Sequence, residues 1–135
     1  AVPGTPEFDL FINQVRSEMI VKCGQKCTAI RRIIVPAKLV EDVQIALGKA
    51  LDKVTIGDPR LKEVRMGALV SKSQVADVLE KAQLIGRTAS LVYGDFNKAE
   101  ALGENTANGA FIRPVLFRED KPFENILVHE TEAFG

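Results

Sequence analysis

Cys27 stands in the stretch Gly24-Gln25-Lys26-Cys27-Thr28, just past a glycine that interrupts a helical pattern. Lys22, Lys26, Arg31 and Arg32 lie within five residues of it. A thiolate, not a thiol, is the nucleophile, and nearby positive charge favours the thiolate. The same residues suit a buried, inert cysteine beside a solvated basic cluster, and the residues alone leave both readings open. Cys23 falls in the last turn of the preceding pattern and reads as a small core residue. A Cys23–Cys27 disulfide would require that helix end to open. His129, the single histidine, is the one candidate for a Cys–His pair, but spacing does not bring it to Cys27. Two cysteines and one histidine are too few for a four-ligand structural zinc site, so no metal is expected. The glycine-rich phosphate patterns are missing. Glu130, Glu132, Phe134 and Gly135 make an acidic-aromatic stretch that by itself reads as solvated.

Several elements must position these residues. Thr5-Pro6-Glu7 is a helix start: a hydroxyl N-cap, proline at the first helical position, an acid in the first turn. Phe8, Phe11, Ile12, Val15 and Met19 follow at helical spacing, and Gly24 is the expected stop. Residues 32–35 read as a short strand ended by Pro36. A second helical stripe runs Leu39, Val40, Val43, Ala46, Leu47, Ala50, Leu51, Val54, with Gly57-Asp58-Pro59 as its terminator. Ser71-x-x-Gln74 is a capping box opening a third helix striped by Val75, Val78, Leu79, Ala82 and Ile85. Residues 89–93 and 111–117 read as strands, the latter at an edge or bulge because of Pro114, and residues 126–128 as another short strand. Residues 94–110 read as a surface loop. Alternating strands and helices give an α/β class with part of a parallel sheet flanked by helices, in one domain spanning 1–135.

Length and charge narrow the function further. The chain has 135 residues, 18 Lys+Arg against 18 Asp+Glu, and no Trp. A zero net charge argues against a nucleic-acid binder that neutralises many phosphates, and against a polybasic membrane anchor. No apolar run is long enough to cross a membrane as a helix. The first residues carry neither a basic nor an apolar signal region, so the expected location is the cytoplasm. With 7 Phe and 1 Tyr, the core must be largely aliphatic. The missing initial Met and the finish on Phe134-Gly135 suggest an excised piece of a longer protein.

Taken together, the motifs resemble the aldehyde dehydrogenase superfamily. Gly24-Gln25-Lys26-Cys27-Thr28-Ala29, followed by Arg31-Arg32, is similar to its catalytic-cysteine signature. Four further blocks follow in family order. Gly57-Asp58-Pro59 resembles the Gly-(Asn/Asp)-Pro turn. Met66-Gly67-Ala68-Leu69-Val70 resembles the Met/Gln-Gly-Pro-Leu/Val stretch, with Ala68 replacing the proline. Gly109-Ala110-Phe111-Ile112-Arg113-Pro114 resembles the Gly-x-(Phe/Tyr)-x-x-Pro strand, with Val115 replacing the usual threonine. Glu132-Ala133-Phe134-Gly135 resembles the start of Glu-x-Phe-Gly-Pro-Val. Within the superfamily, GQKCTAIRRIIVP, MGALV and HETEAFG are most similar to the branch acting on CoA-linked semialdehydes of aromatic catabolism.

The resemblance implies the catalytic, cysteine-bearing domain of that fold and an NAD(P)-dependent oxidation of an aldehyde to an acid. Cys27 would add to the aldehyde as a thiohemiacetal, pass through a thioester after hydride loss, and be released by water. Its backbone N–H would be one oxyanion donor. Glu132 would hold the nicotinamide ribose hydroxyls, and Phe134 would flank the nicotinamide. Gln25 and Lys26 would shape the loop. The general-base Glu, the oxyanion Asn, the domain binding NADP or NAD, and the oligomerisation strands would lie outside these residues. The chain alone would then be inactive, within a parent that is a homo-oligomer. Apolar faces that pack on the missing parts, the Phe8/Phe11 face foremost, would be left exposed.

Overall fold

In a computed structural model, the structure describes residues 2–135. Helix α1 (Pro6–Ile20) begins as its sequence predicts: Thr5 Oγ1 accepts the Phe8 N–H at 3.4 Å, and Pro6 occupies the first turn. Helix α2 (Val40–Asp52) is preceded by a single 3₁₀ turn over Ala37–Leu39. Phe8, Ile12 and Val15 of α1 meet Val43, Leu47 and Leu51 of α2 in a first apolar cluster, where Leu47 is fully buried. The stripes at helical spacing are the reason these two helices pack. Helix α2 ends at Asp52, short of the predicted terminator, and Thr55 instead bonds across the loop: its carbonyl accepts the N–H groups of Arg65 and Met66 and its Oγ1 donates to the Glu63 carbonyl.

Helix α3 (Lys72–Gly86) starts on Ser71, whose Oγ accepts the Gln74 N–H at 3.1 Å. Strand β1 (Ser90–Tyr93) pairs antiparallel with β2 (Leu116–Arg118). Val92 is bulged out of the register between Leu91–Phe117 and Tyr93–Leu116. Pairing begins only after Pro114, which cannot donate to a ladder. The α/β class holds. Among the described residues, parallel pairing is confined to two isolated bridges, Ile56–Met66 and Gly57–Leu102.

Three sequence expectations are corrected. Residues 32–35 belong to no strand or helix: they carry no ladder partner among the described residues, and a strand needs one. Residues 126–128 do not form a strand: Leu127–Glu130 is a helical turn, α4, because Asn125 Oδ1 accepts the Leu127 N–H at its start. The Phe8/Phe11 face is not exposed: Phe8 is 5% exposed and Phe11 packs against the first cluster. The exposed large apolar side chains lie elsewhere, Ile34 at 94% and Phe123 at 98%. Among the described residues, no helix is long and apolar enough to cross a membrane.

Candidate functional site

Helix α1 does not simply stop at Gly24. Lys22, Cys23 and Gly24 adopt φ of 52°, 53° and 74°, three successive left-handed residues. Each non-glycine residue held there costs about 1–2 kcal/mol, and such strain gathers at functional sites. The surroundings hold it. Cys23 is buried in a second apolar cluster with Ile56, Met66, Leu69, Val78 and Ala99. Gln25 Nε2 donates to the Lys22 carbonyl at 2.9 Å. A Cβ on Gly24 would stand 2.8 Å from the carbonyl carbon of Gly135, so only glycine fits on both counts.

Past this reversal the chain closes a four-residue turn, with the Ala29 N–H donating to the Lys26 carbonyl at 3.0 Å. Cys27 is the first of its two corner residues and is exposed. The N–H groups of Gln25, Lys26 and Ala29 all find carbonyls, whereas among the described residues that of Cys27 finds none. A thiol and an unpaired N–H at one corner are the two parts an addition to a carbonyl needs: a nucleophile and a donor for the developing oxyanion.

Four cations surround Cys27 in sequence, and the fold gives three of them other partners. Lys26 Nζ pairs with Glu18 Oε2 at 2.8 Å, an ion pair about one-third exposed and worth little. Arg31 spans the turn and residues 132–134. Its Nη2 donates to the Gly24 carbonyl at 2.8 Å, its Nη1 to those of Lys26 and Ala29 at 3.2 Å, and its Nε to that of Ala133 at 2.6 Å. The same guanidinium lies 3.7 Å from Glu132 Oε1 and 5.4 Å from the centroid of the Phe134 ring. Arg32 donates to the carbonyls of Val128, His129 and Thr131, closing the C-terminus of α4. Sequence reasoning took both arginines as sources of charge. Their work across the fold was hidden because the far acceptors, Ala133 for Arg31 and residues 128–131 for Arg32, lie 96 to 102 residues away.

The structure brings Cys27, Glu132 and Phe134 to one locality through Arg31. Glu132 is 69% exposed at its side chain and Phe134 is 44% exposed, so both present polar and aromatic surface to solvent. His129 is not brought in: its Nε2 bonds the Pro122 carbonyl at 2.6 Å, which leaves no Cys–His pair. Cys23 and Cys27 are both free thiols, and burial pushes the Cys23 thiol up to about 11. Among the described residues no cluster of His, Cys, Asp or Glu could hold a metal.

All five blocks of sequence prove to be one network. Gln25 pairs with the backbone of the Met66–Val70 stretch, accepting the Val70 N–H at 2.8 Å and donating to the Ala68 carbonyl at 3.4 Å. The Leu69 N–H reaches the Ala110 carbonyl at 2.9 Å, and the Gly57 N–H reaches the Met66 carbonyl at 3.1 Å. Gln74 is a residue the sequence reading missed in this role. Its Nε2 does not return to the cap but donates to the Phe134 carbonyl at 2.7 Å. Its place in a capping box was the only available signal. At Asp58, hydrogen bonds from Arg60 hold the carboxyl down to about 2 and fix the turn after Gly57.

Against this geometry, residues 4–135 match the model of the aldehyde dehydrogenase family. A 3,4-dehydroadipyl-CoA semialdehyde dehydrogenase of Aromatoleum evansii is 41% identical over the whole chain, which covers 26% of that protein. An alpha-ketoglutaric semialdehyde dehydrogenase of Bacillus subtilis is 34% identical over 83% of the chain and 22% of its own length. Among solved structures, an aldehyde dehydrogenase from Bacillus cereus superposes with a TM-score of 0.78 at 31% identity, over 96% of this chain and 25% of that one. The betaine aldehyde dehydrogenase of Staphylococcus aureus in complex with NAD+ shares the fold, with a TM-score of 0.82 at 21% identity over 96% of this chain and 25% of that one. The chain spans about a quarter of the length of these relatives.

Proposed function

The chain belongs to the aldehyde dehydrogenase family, and from that premise we propose that it is the nucleophile-bearing part of an NAD(P)-dependent dehydrogenase of CoA-linked semialdehydes. The observation that carries this reading is the corner at Cys27, where an exposed thiol and an unpaired backbone N–H sit on a turn that Arg31 ties to the segment of Glu132 and Phe134. Residues 1–135 serve as one portion of the catalytic domain, and the general base, the second oxyanion donor and most of the coenzyme site come from outside them.

The residues present fit the nicotinamide end of the coenzyme. An exposed carboxylate on Glu132 suits paired ribose hydroxyls, and the exposed ring of Phe134 suits a flat heterocycle. When bound, the coenzyme supplies the hydride acceptor. Cys27 Sγ adds to the aldehyde carbon, and the Cys27 N–H steadies the oxygen as charge develops on it. Loss of hydride from that carbon leaves a thioester on Sγ. Water then cleaves the thioester, releasing the acid and restoring the thiol.

The substrate class rests on the 41% identity to a dehydrogenase of a CoA-linked semialdehyde. The motifs around Cys27 and Glu132 also resemble the dehydrogenase half of the bifunctional phenylacetate-degradation enzyme, and a CoA-linked semialdehyde is proposed on both grounds. The test uses the longer enzyme that contains this chain. Coenzyme reduction is followed with CoA-linked semialdehydes and with simple aldehydes, in wild type and Cys27→Ala. Turnover confined to the CoA thioesters and abolished by Cys27→Ala is expected. Turnover of simple aldehydes alone overturns the substrate class, and activity surviving Cys27→Ala overturns the mechanism.

A further inference from the structure

We propose that Arg31 is the positioning residue that fixes the separation between the nucleophile turn and the coenzyme-side segment Glu132–Phe134. This rests on the roles of Cys27, Glu132 and Phe134 given above. The guanidinium side chain is only 17% exposed. Its three nitrogens reach four backbone carbonyls: Gly24, Lys26 and Ala29 on one side, Ala133 on the other. The Lys26 carbonyl is also the one that closes the Cys27 turn. Arg31 therefore grips the turn at its closing bond and the far segment between its two coenzyme-side residues. A planar fork can do this and an ammonium cannot, since its donors do not diverge in a fixed plane. The charge adds two further contacts on that segment, the Glu132 carboxylate and the face of the Phe134 ring. Arg32 is the internal comparison: the same side chain, one residue on, bound only to carbonyls at 128–131 and to nothing in the turn. A displacement of about an ångström between a nucleophile and the group beside it costs about a hundredfold in rate.

The experiment compares Arg31→Lys and Arg32→Lys in the longer enzyme, with Cys27→Ala alongside. Three quantities are read: KM for coenzyme and for aldehyde, coenzyme affinity by fluorescence titration, and the rate of Cys27 alkylation without coenzyme. Arg31→Lys is expected to raise coenzyme KM and dissociation constant about tenfold or more, leave aldehyde KM within about twofold, and change the alkylation rate of Cys27. Arg32→Lys is expected to lower thermal stability to a similar degree while leaving those values within about twofold. If the two variants behave alike, Arg31 is merely structural and the inference is overturned. If Arg31→Lys does not fold, Arg31→Gln, which keeps two N–H donors, takes its place with the same expected split. A dead Cys27→Ala beside an unchanged Arg31 variant sinks only this inference. An active Cys27→Ala sinks the functional reading beneath it.

Discussion

The described residues form two apolar clusters of six buried residues each, and they are built on different plans. The first joins Phe8, Ile12 and Val15 to Val43, Leu47 and Leu51, all from α1 and α2. The second joins Cys23, Ile56, Met66, Leu69, Val78 and Ala99, of which only Val78 belongs to an α-helix. Apolar stripes hold the first together. The second lies under a net of single hydrogen bonds between loops, from Gln25, Gln74, Arg31 and the backbone at 57, 66, 69 and 102. Stripes give stability through buried area. A net of loop bonds gives position, and the Cys27 turn sits on the net.

The contrast is sharpest in what each cluster loses. Leu47→Ala, at a fully buried site, is expected to cost about 2–5 kcal/mol in denaturant unfolding, read as a lower transition midpoint. Gly57→Ala attacks the net instead. Its Cβ would fall on the Leu102 backbone, and overpacking of that kind costs about 1–3 kcal/mol. Hydrogen exchange should rise first at Gly57 and Leu102, while amides of α1 and α2 keep their protection. If α1 and α2 open in step with Gly57, the two clusters are one cooperative unit and the comparison fails.

Thiol chemistry separates buried from displayed within the second region. With its thiol at about 11, Cys23 holds roughly one thiolate in a thousand at pH 8, and it is also shielded. Iodoacetamide at pH 8 should modify Cys27 at least about a hundredfold faster, as peptide mapping would show, and denaturant should erase the difference. Equal rates in the folded protein would mean that Cys23 is not the floor of the site.

Titration makes the smallest and most local test. Burial and a hydrogen bond to Asp52 push Tyr93 up to about 12. Its raised value favours the folded state below pH 10, and that contribution is lost as pH rises through about 12. The Tyr93 contact flanks the first cluster, so α2 should loosen at alkaline pH. Asp58 has the opposite sign: its contribution is complete above about pH 4 and is lost as pH falls through about 2. NMR shifts at Asp58 and Arg60 should move together as the pH falls through about 2.

Legibility in the sequence followed the same division. Thr5 and Ser71 marked helix starts because a cap acts on a backbone N–H three residues away. The stripes of α1 and α2 were legible because helical periodicity is local. Ile126-Leu127-Val128 misled because aliphatic runs also suit strands, and the deciding groups were Asn125 before it and Arg32 far upstream. Cys27, Glu132 and Phe134 were visible as motifs, but nothing local marks Arg31 as the residue spanning them. Residues 32–35 carry a strand's composition, which cannot by itself supply a neighbour to pair with.

The bond from Arg31 to the Ala133 carbonyl joins residues 102 apart. A ribosome delivers residue 31 long before residue 133, and synthesis runs at about 5–20 residues per second. For those seconds Arg31 can hold its near acceptors at Gly24, Lys26 and Ala29 but not Ala133, and α1 and α2 can already close on each other. The link between the Cys27 turn and residues 132–134 is therefore among the last parts of this stretch to form. A nascent or prematurely terminated chain shows the Cys27 turn without residues 132–134 across from it.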